Sequence, residues 1–190
     1  MRVVRNLRRL VVTRHRAYTR DRIVPAGLDW MTGTNTDARV NPDDRLVFWG
    51  VFLFFLSLLT GLLLVSNPSF IANPRGVLSG HLEGAMNGMF VTIVGLFFHR
   101  LNLSALQAGI CRGALIYSAF ANWLLTTLAG ILGTSEATPI AGAGHHATAG
   151  AELVILAGLV SVALTMLVAV VLLLMGLRRK VAPSPIRETV

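Results

Sequence analysis

The chain has 190 residues, of which 54% are hydrophobic and only 14% are charged. A soluble domain of this size would hardly stay in solution with so few charges. The composition therefore excludes an ordinary soluble protein and indicates an integral membrane protein. The formal net charge of +8 does not indicate a nucleic-acid partner, because basic residues in a membrane protein mark the side that stays in the cytoplasm.

The first 44 residues differ in composition from the rest of the chain. They are rich in arginine, contain Pro25 and Pro42, and carry no apolar run long enough to span a membrane or to form the core of a signal peptide. We predict that residues 1–44 form a basic, flexible tail. Translation from Met31 instead would leave a protein made almost entirely of the apolar part.

Four apolar runs follow, each near the length of roughly 20 residues that crosses the hydrocarbon core of a bilayer. None alternates polar and apolar residues as a membrane strand does, so each is predicted to be a helix. The fold class is therefore all-α: an integral membrane four-helix bundle over residues 45–180, with the basic tail before it and a C-terminal tail, residues 181–190, after it. The predicted spans are Leu46–Ser66, Gly80–Phe98, Gly113–Leu132 and Leu153–Leu177.

The basic residues predict the orientation of these helices. Of the 17 lysines and arginines, all but Arg75 lie before the first span, between the second and third spans, or after the fourth. The positive-inside rule then places both termini in the cytoplasm and the other two loops outside. We predict a multi-pass protein of a bacterial inner membrane, surrounded by the lipid bilayer.

Polar side chains inside a membrane usually face a protein interior or a cavity, so their depths are informative. In the second span, Asn87 lies six residues beyond His81, which places it about 9 Å deeper from the outer side. In the third span, Ser118, Asn122 and Thr126 are spaced i, i+4, i+8 and form one stripe. Thr126 matches the depth of Asn87, so the two helices predict a polar site in the outer half of the membrane.

The fourth span adds polar residues at the same end if its helix begins near Gly144. His145, Thr148 and Glu152 would then fall at i, i+3 and i+7 on one face. Three helices would therefore direct polar groups into the outer half, whereas the inner half and the first span offer nothing comparable. The alternative is that these groups are solvated at the interface or join helices, as polar residues in membrane bundles often do.

Small residues form a second pattern on the second span. Gly80, Gly84 and Gly88 recur every four residues with Ala85 beside them, a spacing that lets another backbone or a flat ligand approach the helix closely. The imidazole of His81, at the top of such a groove, is suited to be the axial ligand of a haem lying against it. Two plainer interpretations are interfacial hydrogen bonding by His81 and simple helix packing by the glycines.

Three motifs of the chain stand out together: NPRGVLSGHLEGAMNG, IYSAFANWLLTTLAG and TPIAGAGHHATAGAE. In order and spacing they closely resemble the bacterial hydroxylaminobenzene mutases, small membrane enzymes, over residues 46–177. A more distant resemblance to the styrene oxide isomerases rests on a His-x5-Asn-Gly pattern, here His81, Asn87 and Gly88, and on an Ala-Asn pair that ends at Asn122.

The isomerase resemblance implies a cofactor and an assembly. Those isomerases are trimers of four-helix subunits that bind haem b through the histidine, which implies that His81 is the metal ligand and that Asn87 lies over the open face of the iron. This chain has Ser118 and Thr126 where those isomerases place an aspartate and a catalytic tyrosine, so the mutase resemblance carries the functional prediction. The residues expected to line the haem are His81, Gly84, Ala85 and Gly88.

The mutase resemblance implies rearrangement of an aryl hydroxylamine, for example hydroxylaminobenzene, to a 2-aminophenol, a reaction of nitroarene degradation. Ferric haem would act as a Lewis acid, Asn87 and Asn122 would orient the small aromatic substrate, and Tyr117 or Glu152 would relay protons. The expected state is a homo-oligomer such as a trimer. Two alternatives stay open: a haem-dependent aryl epoxide isomerase and a noncatalytic small membrane protein.

Overall fold

The computed structural model describes residues 42–66 and 68–178. The predicted tails, residues 1–44 and 181–190, and the start at Met31 therefore lie outside the described residues, except for 42–44. Four helices dominate the described part, which contains no strand, and each is long and apolar enough to cross a membrane. They are α1 (Asp44–Ser66), α2 (Pro74–Phe97), α3 (Ala105–Leu132) and α4 (Ala149–Leu177), with a short 3-10 turn at Phe98–Arg100. The all-α, four-span fold is confirmed.

The helices begin earlier than the hydropathy of the sequence predicts, because local capping sets their starts. Asn73 accepts a hydrogen bond from the N–H of Arg75, and Pro74 occupies the first position of α2, where proline lacks only an N–H that would have no partner. Ser104 begins α3 by exchanging hydrogen bonds with Gln107, a capping box. α2 and α3 therefore include the residues that precede each predicted span, because their caps lie before those residues.

The helices pack mainly against their neighbours in the chain. α1 packs against α2, α2 against α3 and α3 against α4, while α1 reaches α3 at fewer points. We call outer the end that carries residues 68–73 and 133–148, in keeping with the predicted orientation. The apolar core fills the opposite, inner half of the helices. Its buried members come from all four helices: Leu46, Leu53, Val91, Val94, Phe98, Cys111, Ala114, Leu115, Ala119, Ala169 and Leu173.

The glycine row of α2 brings its backbone against both neighbours. At the outer end, Gly76 meets Gly130 of α3, and the N–H of Asn73 donates to the carbonyl of Gly130 at 2.9 Å. Further down, Gly88 meets the backbone of Gly50 and Phe54 on α1. α2 therefore passes from contact with α3 at its outer end to contact with α1 at its inner end.

An ion pair joins the start of α1 to α3 at the inner end. The guanidinium of Arg112 donates to the carboxylate of Asp43 and lies 4.9 Å from the centre of the Phe98 ring. The N–H of Asp43 donates to the carbonyl of Gly95 on α2 at 2.9 Å. Asp43 thus ties three helices together at one end of the bundle.

We expect Gly130→Ala to destabilise the fold, because the added methyl group would overlap the backbone of Gly76 and Val77. Overpacking of this kind costs about 1–3 kcal/mol, so the unfolding temperature of the detergent-solubilised protein should fall. Gly113→Ala on the same helix is the matched control, since nothing lies within 4 Å of its added methyl group. Equal unfolding temperatures for the two variants would contradict the α2–α3 contact.

Candidate functional site

His81 lies on the side of α2 that faces α1. Its Nδ1 is 2.7 Å from the carbonyl oxygen of Ser57, and the hydroxyl of Ser57 donates to the carbonyl of His81 at 2.8 Å. A carbonyl only accepts, so Nδ1 carries a proton, and in the neutral imidazole Nε2 is the nitrogen with the lone pair. No other described residue forms a hydrogen bond with Nε2. The ring is thus held in the orientation that metal-binding histidines require.

The imidazole lies against a glycine of α1. A methyl group built on Gly61 would stand 2.9 Å from Cε1 and 3.0 Å from Nδ1 of the ring. Ser57 and Gly61 are one turn apart on α1, so one face of that helix both binds the imidazole and makes room for it. His81 is half-buried, with its ring against α1.

A second polar cluster lies between α2 and α3. The Nδ2 of Asn122 donates to Oε2 of Glu83 at 2.7 Å, and both side chains are half-buried. Asn87 follows Glu83 by one turn on α2, and its Nδ2 is buried without a hydrogen-bond partner among the described residues. This cluster pairs Asn122 with Glu83, a residue to which the sequence analysis gives no role.

The structure separates the two clusters. His81 and Glu83 are two residues apart, so at about 100° per residue their side chains leave α2 on nearly opposite sides. His81 and Glu83 therefore do not share a face of α2, and the implied position of Asn87 over a haem held by His81 stays a prediction. The predicted depth match is wrong, because Gly80 packs against Thr127 and Gly84 against Trp123, so Thr126 lies level with His81 rather than with Asn87.

The glycines of α2 do not form an open wall. The position of a methyl group on Gly84 is filled by Trp123 and by Cβ of Ser57, and that on Gly88 by the backbone of α1. Gly84 and Gly88 therefore pack against neighbouring helices, as the plainer interpretation has it, and their place beside a haem stays a prediction. Ala85, one turn below His81, is half-buried and keeps an open side.

Tyr117 and Ser118 lie apart from both clusters. The hydroxyl of Tyr117 is 2.7 Å from that of Ser161 on α4, beside an open groove of about 400 Å³ between α3 and α4. Ser118 donates to the carbonyl of Ala114 in its own helix at 2.7 Å. The predicted stripe of Ser118, Asn122 and Thr126 therefore contributes only Asn122 to the polar cluster with Glu83.

Glu152 organises the outer loop rather than joining the polar clusters. Its carboxylate accepts from the N–H groups of Ser135 at 3.0 Å, Glu136 at 3.0 Å and Ala147 at 3.3 Å. α4 begins at Ala149 with Thr148 as its N-cap, so the prediction of a helix from Gly144 is wrong. Gly144 instead has a φ of 85°, which ends any helical path there. His145 lies in the loop, near Gly133.

The described residues do not contain a metal site built from protein ligands alone. Within 42–66 and 68–178, no three histidine, cysteine or acidic side chains lie close enough to hold an ion. A metal bound at His81 would therefore have to bring its other ligands with it, as haem iron does.

Together these features define an all-helical, multi-pass membrane protein with two polar clusters in the outer half of its helices. The family model described as styrene oxide isomerase matches residues 42–178. The chain therefore belongs to the styrene oxide isomerase family, and the match spans all four helices and both polar clusters.

Two relatives from Ectopseudomonas oleovorans share most of this region. Hydroxylaminobenzene mutase HabB is 45% identical over 135 residues, which cover 70% of this chain and 80% of HabB. Hydroxylaminobenzene mutase HabA is 37% identical over 131 residues, which cover 68% of this chain and 94% of HabA. No solved structure gives a significant match. The family and both relatives are isomerases by name, so the chain is an isomerase, and the noncatalytic alternative falls away.

Sequence reasoning missed Ser57, Gly61 and Glu83. Ser57 and Gly61 are small residues one turn apart in a run of large apolar ones, a spacing typical of a helix contact. Glu83 is an ionisable residue inside a predicted span, and such residues usually have a functional partner. Both signals were present in the sequence, although neither identifies the partner.

We expect Gly61→Ala to displace the imidazole of His81 and leave the fold intact, because a side chain can move away from the methyl group. A shift of about 1 Å in a catalytic group can lower activity roughly 100-fold, so isomerase activity should fall about 10- to 100-fold at an unchanged unfolding temperature. Gly109→Ala is the control, since its methyl group meets nothing within 4 Å. Full activity of Gly61→Ala would show that isomerase activity does not depend on the position of the imidazole.

Glu152→Gln should loosen the outer loop, because the amide nitrogen of glutamine cannot accept the hydrogen bonds that the loop N–H groups donate to the carboxylate. Hydrogen bonds to a charged group are worth about 1.5–3 kcal/mol, so hydrogen exchange at the amides of Ser135 and Glu136 should accelerate about tenfold or more. Glu136→Gln, an exposed carboxylate in the same loop, is the control for loss of charge. Unchanged protection in Glu152→Gln would show that other contacts order the loop.

Proposed function

We propose that this protein rearranges an aryl hydroxylamine such as hydroxylaminobenzene to a 2-aminophenol. The supporting observation is that mutase relatives 45% and 37% identical to this chain align with its four-helix region. The reaction is an isomerisation. The hydroxyl group leaves nitrogen and joins the ortho carbon, that carbon loses a proton, and the nitrogen gains one. An apolar aromatic substrate partitions into lipid, which suits a site between membrane-spanning helices.

Haem b is the cofactor that we propose, and His81 is the residue that would hold its iron. The residues fit in one respect, since Nδ1 is fixed by Ser57 and Nε2 is free, the state in which imidazole binds iron. Ala85 is the member of the predicted lining that keeps an open side, whereas Gly84 and Gly88 are covered by protein. When bound, the iron would supply a Lewis acid for N–O cleavage.

The polar residues of α2 and α3 would bind and orient the substrate. The buried Nδ2 of Asn87 has no partner among the described residues and is free to donate to a ligand oxygen. Asn122 is held by Glu83, which fixes its amide for a second contact. Glu152 and Tyr117 are engaged elsewhere, with loop amides and with Ser161, so we propose no proton relay through them.

An aryl epoxide isomerase is the second candidate, because the matching family model carries that activity in its name. It is the weaker candidate for this chain. Ser118 stands where the resemblance implies an aspartate, and its hydroxyl is bonded within its own helix. Thr126 stands where the resemblance implies a tyrosine and is buried. We also propose a homo-oligomer, a trimer by the same resemblance, in the inner membrane with both termini cytoplasmic.

The detergent-purified protein should convert hydroxylaminobenzene to 2-aminophenol, which chromatography of the reaction mixture detects. Loss of a residue that only orients a metal ligand typically lowers activity roughly 10- to 100-fold. His81→Ala removes the ligand itself, so it should lower the rate by more than that and abolish the Soret band. His99→Ala, an exposed histidine at the inner end, is the control and should leave both unchanged.

Two outcomes would contradict separate parts of this proposal. Active protein without a Soret band would exclude haem and leave the mutase activity standing. Protein that turns over an aryl epoxide but not hydroxylaminobenzene would replace the mutase by the second candidate.

A further inference from the structure

Glu83 is a carboxylate in the membrane-spanning part of α2 with a single polar partner. It lies nine residues after the start of the helix at Pro74, about 13 Å along its axis. Within residues 42–66 and 68–178 it forms no salt bridge, and its one hydrogen bond comes from Asn122. Ionisable groups at such depth are costly and usually mark a functional site. Something other than this one amide is therefore expected to bind there.

The geometry of the pair fixes which atoms remain free. A carboxylate accepts and does not donate, so the amide nitrogen of Asn122 must face Glu83 and the amide oxygen must face away. Oε2 of Glu83 takes the hydrogen bond, which leaves Oε1. The pair therefore presents two acceptor oxygens, Glu83 Oε1 and Asn122 Oδ1, and no described residue donates to either of them.

We propose that the Glu83–Asn122 pair is the recognition site for the hydroxylamino group of the substrate. An aryl hydroxylamine carries two donors on adjacent atoms, N–H and O–H, and the hydrogen-bonded pair offers two acceptors. An epoxide carries no donor, so it would cover both oxygens without pairing them, and the lost hydrogen bonds would cost binding free energy. The pair thus selects hydroxylamines over epoxides. This inference rests on the proposed function for the identity of the ligand.

The discriminating variants exchange carboxylate and amide without changing shape. In Glu83→Gln the side chains can still pair, but one of the two outward atoms becomes an N–H donor. In the double variant Glu83→Gln with Asn122→Asp, the glutamine amide donates to the aspartate, and two acceptor oxygens face outward again. A role limited to holding α2 against α3 would be served equally by both variants, because each keeps the hydrogen bond between the helices.

The binding test uses N-benzylhydroxylamine, which has both donors but cannot rearrange because its nitrogen is not attached to the ring. Its dissociation constant, measured by titration calorimetry on the detergent-purified full chain, should rise roughly 10- to 100-fold in Glu83→Gln and recover in the double variant. The KM for hydroxylaminobenzene should likewise rise in Glu83→Gln and recover in the double variant. Glu136→Gln, an exposed carboxylate in the outer loop, is the matched control and should change neither.

Three results would overturn the proposal. The first is unchanged binding of N-benzylhydroxylamine in Glu83→Gln, and the second is a folded double variant that binds it as weakly as Glu83→Gln does. The third is equal affinity of the unmodified protein for N-benzylhydroxylamine and for its N,O-dimethyl derivative, which has no donor. The last comparison needs no variant, so it decides the question even if Glu83→Gln does not fold. Because the probe is not turned over, loss of the mutase proposal would appear as absent 2-aminophenol with probe binding intact.

Discussion

The fold depends on how closely α2 approaches the backbones of α1 and α3. Gly76 and Gly88 meet main-chain atoms of the neighbouring helices, so at these two positions no side chain separates α2 from its neighbour. In lipid, where apolar side chains gain little by leaving the solvent, such close packing is a main source of helix association. The same closeness leaves no room for large side chains on the packed faces. The polar residues of α2 must therefore leave the helix on its two flanks.

That constraint explains why the polar residues form two clusters rather than one. His81 leaves α2 on the side of α1, where Ser57 supplies a carbonyl and Gly61 supplies space. Glu83 leaves on the side of α3, where Asn122 supplies an amide. Each flank has a partner for the polar group that it receives, and this lowers the cost of placing that group in the membrane. A substrate in contact with both flanks would have to reach around α2 or involve another copy of the chain.

The sequence predicted the parts of this structure that depend on composition and periodicity. The four spans follow from apolar length. Counting turns from the predicted ends of the spans put Thr126 level with Asn87, whereas the packing of Gly80 against Thr127 puts it near the level of His81. The starts of the helices were predicted less well, because Asn73 and Ser104 set them through capping, which a hydropathy window does not register. The condition that the last helix begins near Gly144 is not met for a related reason, since Gly144 has a φ of 85° and Thr148 caps the helix instead.

The partners of the polar residues could not be predicted, because helical spacing fixes a face but not the helix opposite it. The glycine row shows this ambiguity well: small residues at a spacing of four fit a cofactor wall and a helix contact equally, and only the position of Trp123 over Gly84 decides between them. Once Glu152 is committed to the loop, Glu83 is the carboxylate left for chemistry among the described outer-half residues inside the spans. Glu83 pairs with α3 through Asn122, whereas Ser118 of α3, where the resemblance implies an aspartate, is bonded within its own helix. If that resemblance holds, the acidic group of the site lies on α2 instead of α3. A change of that kind alters which ligand atoms the site can bind while the four helices keep their arrangement.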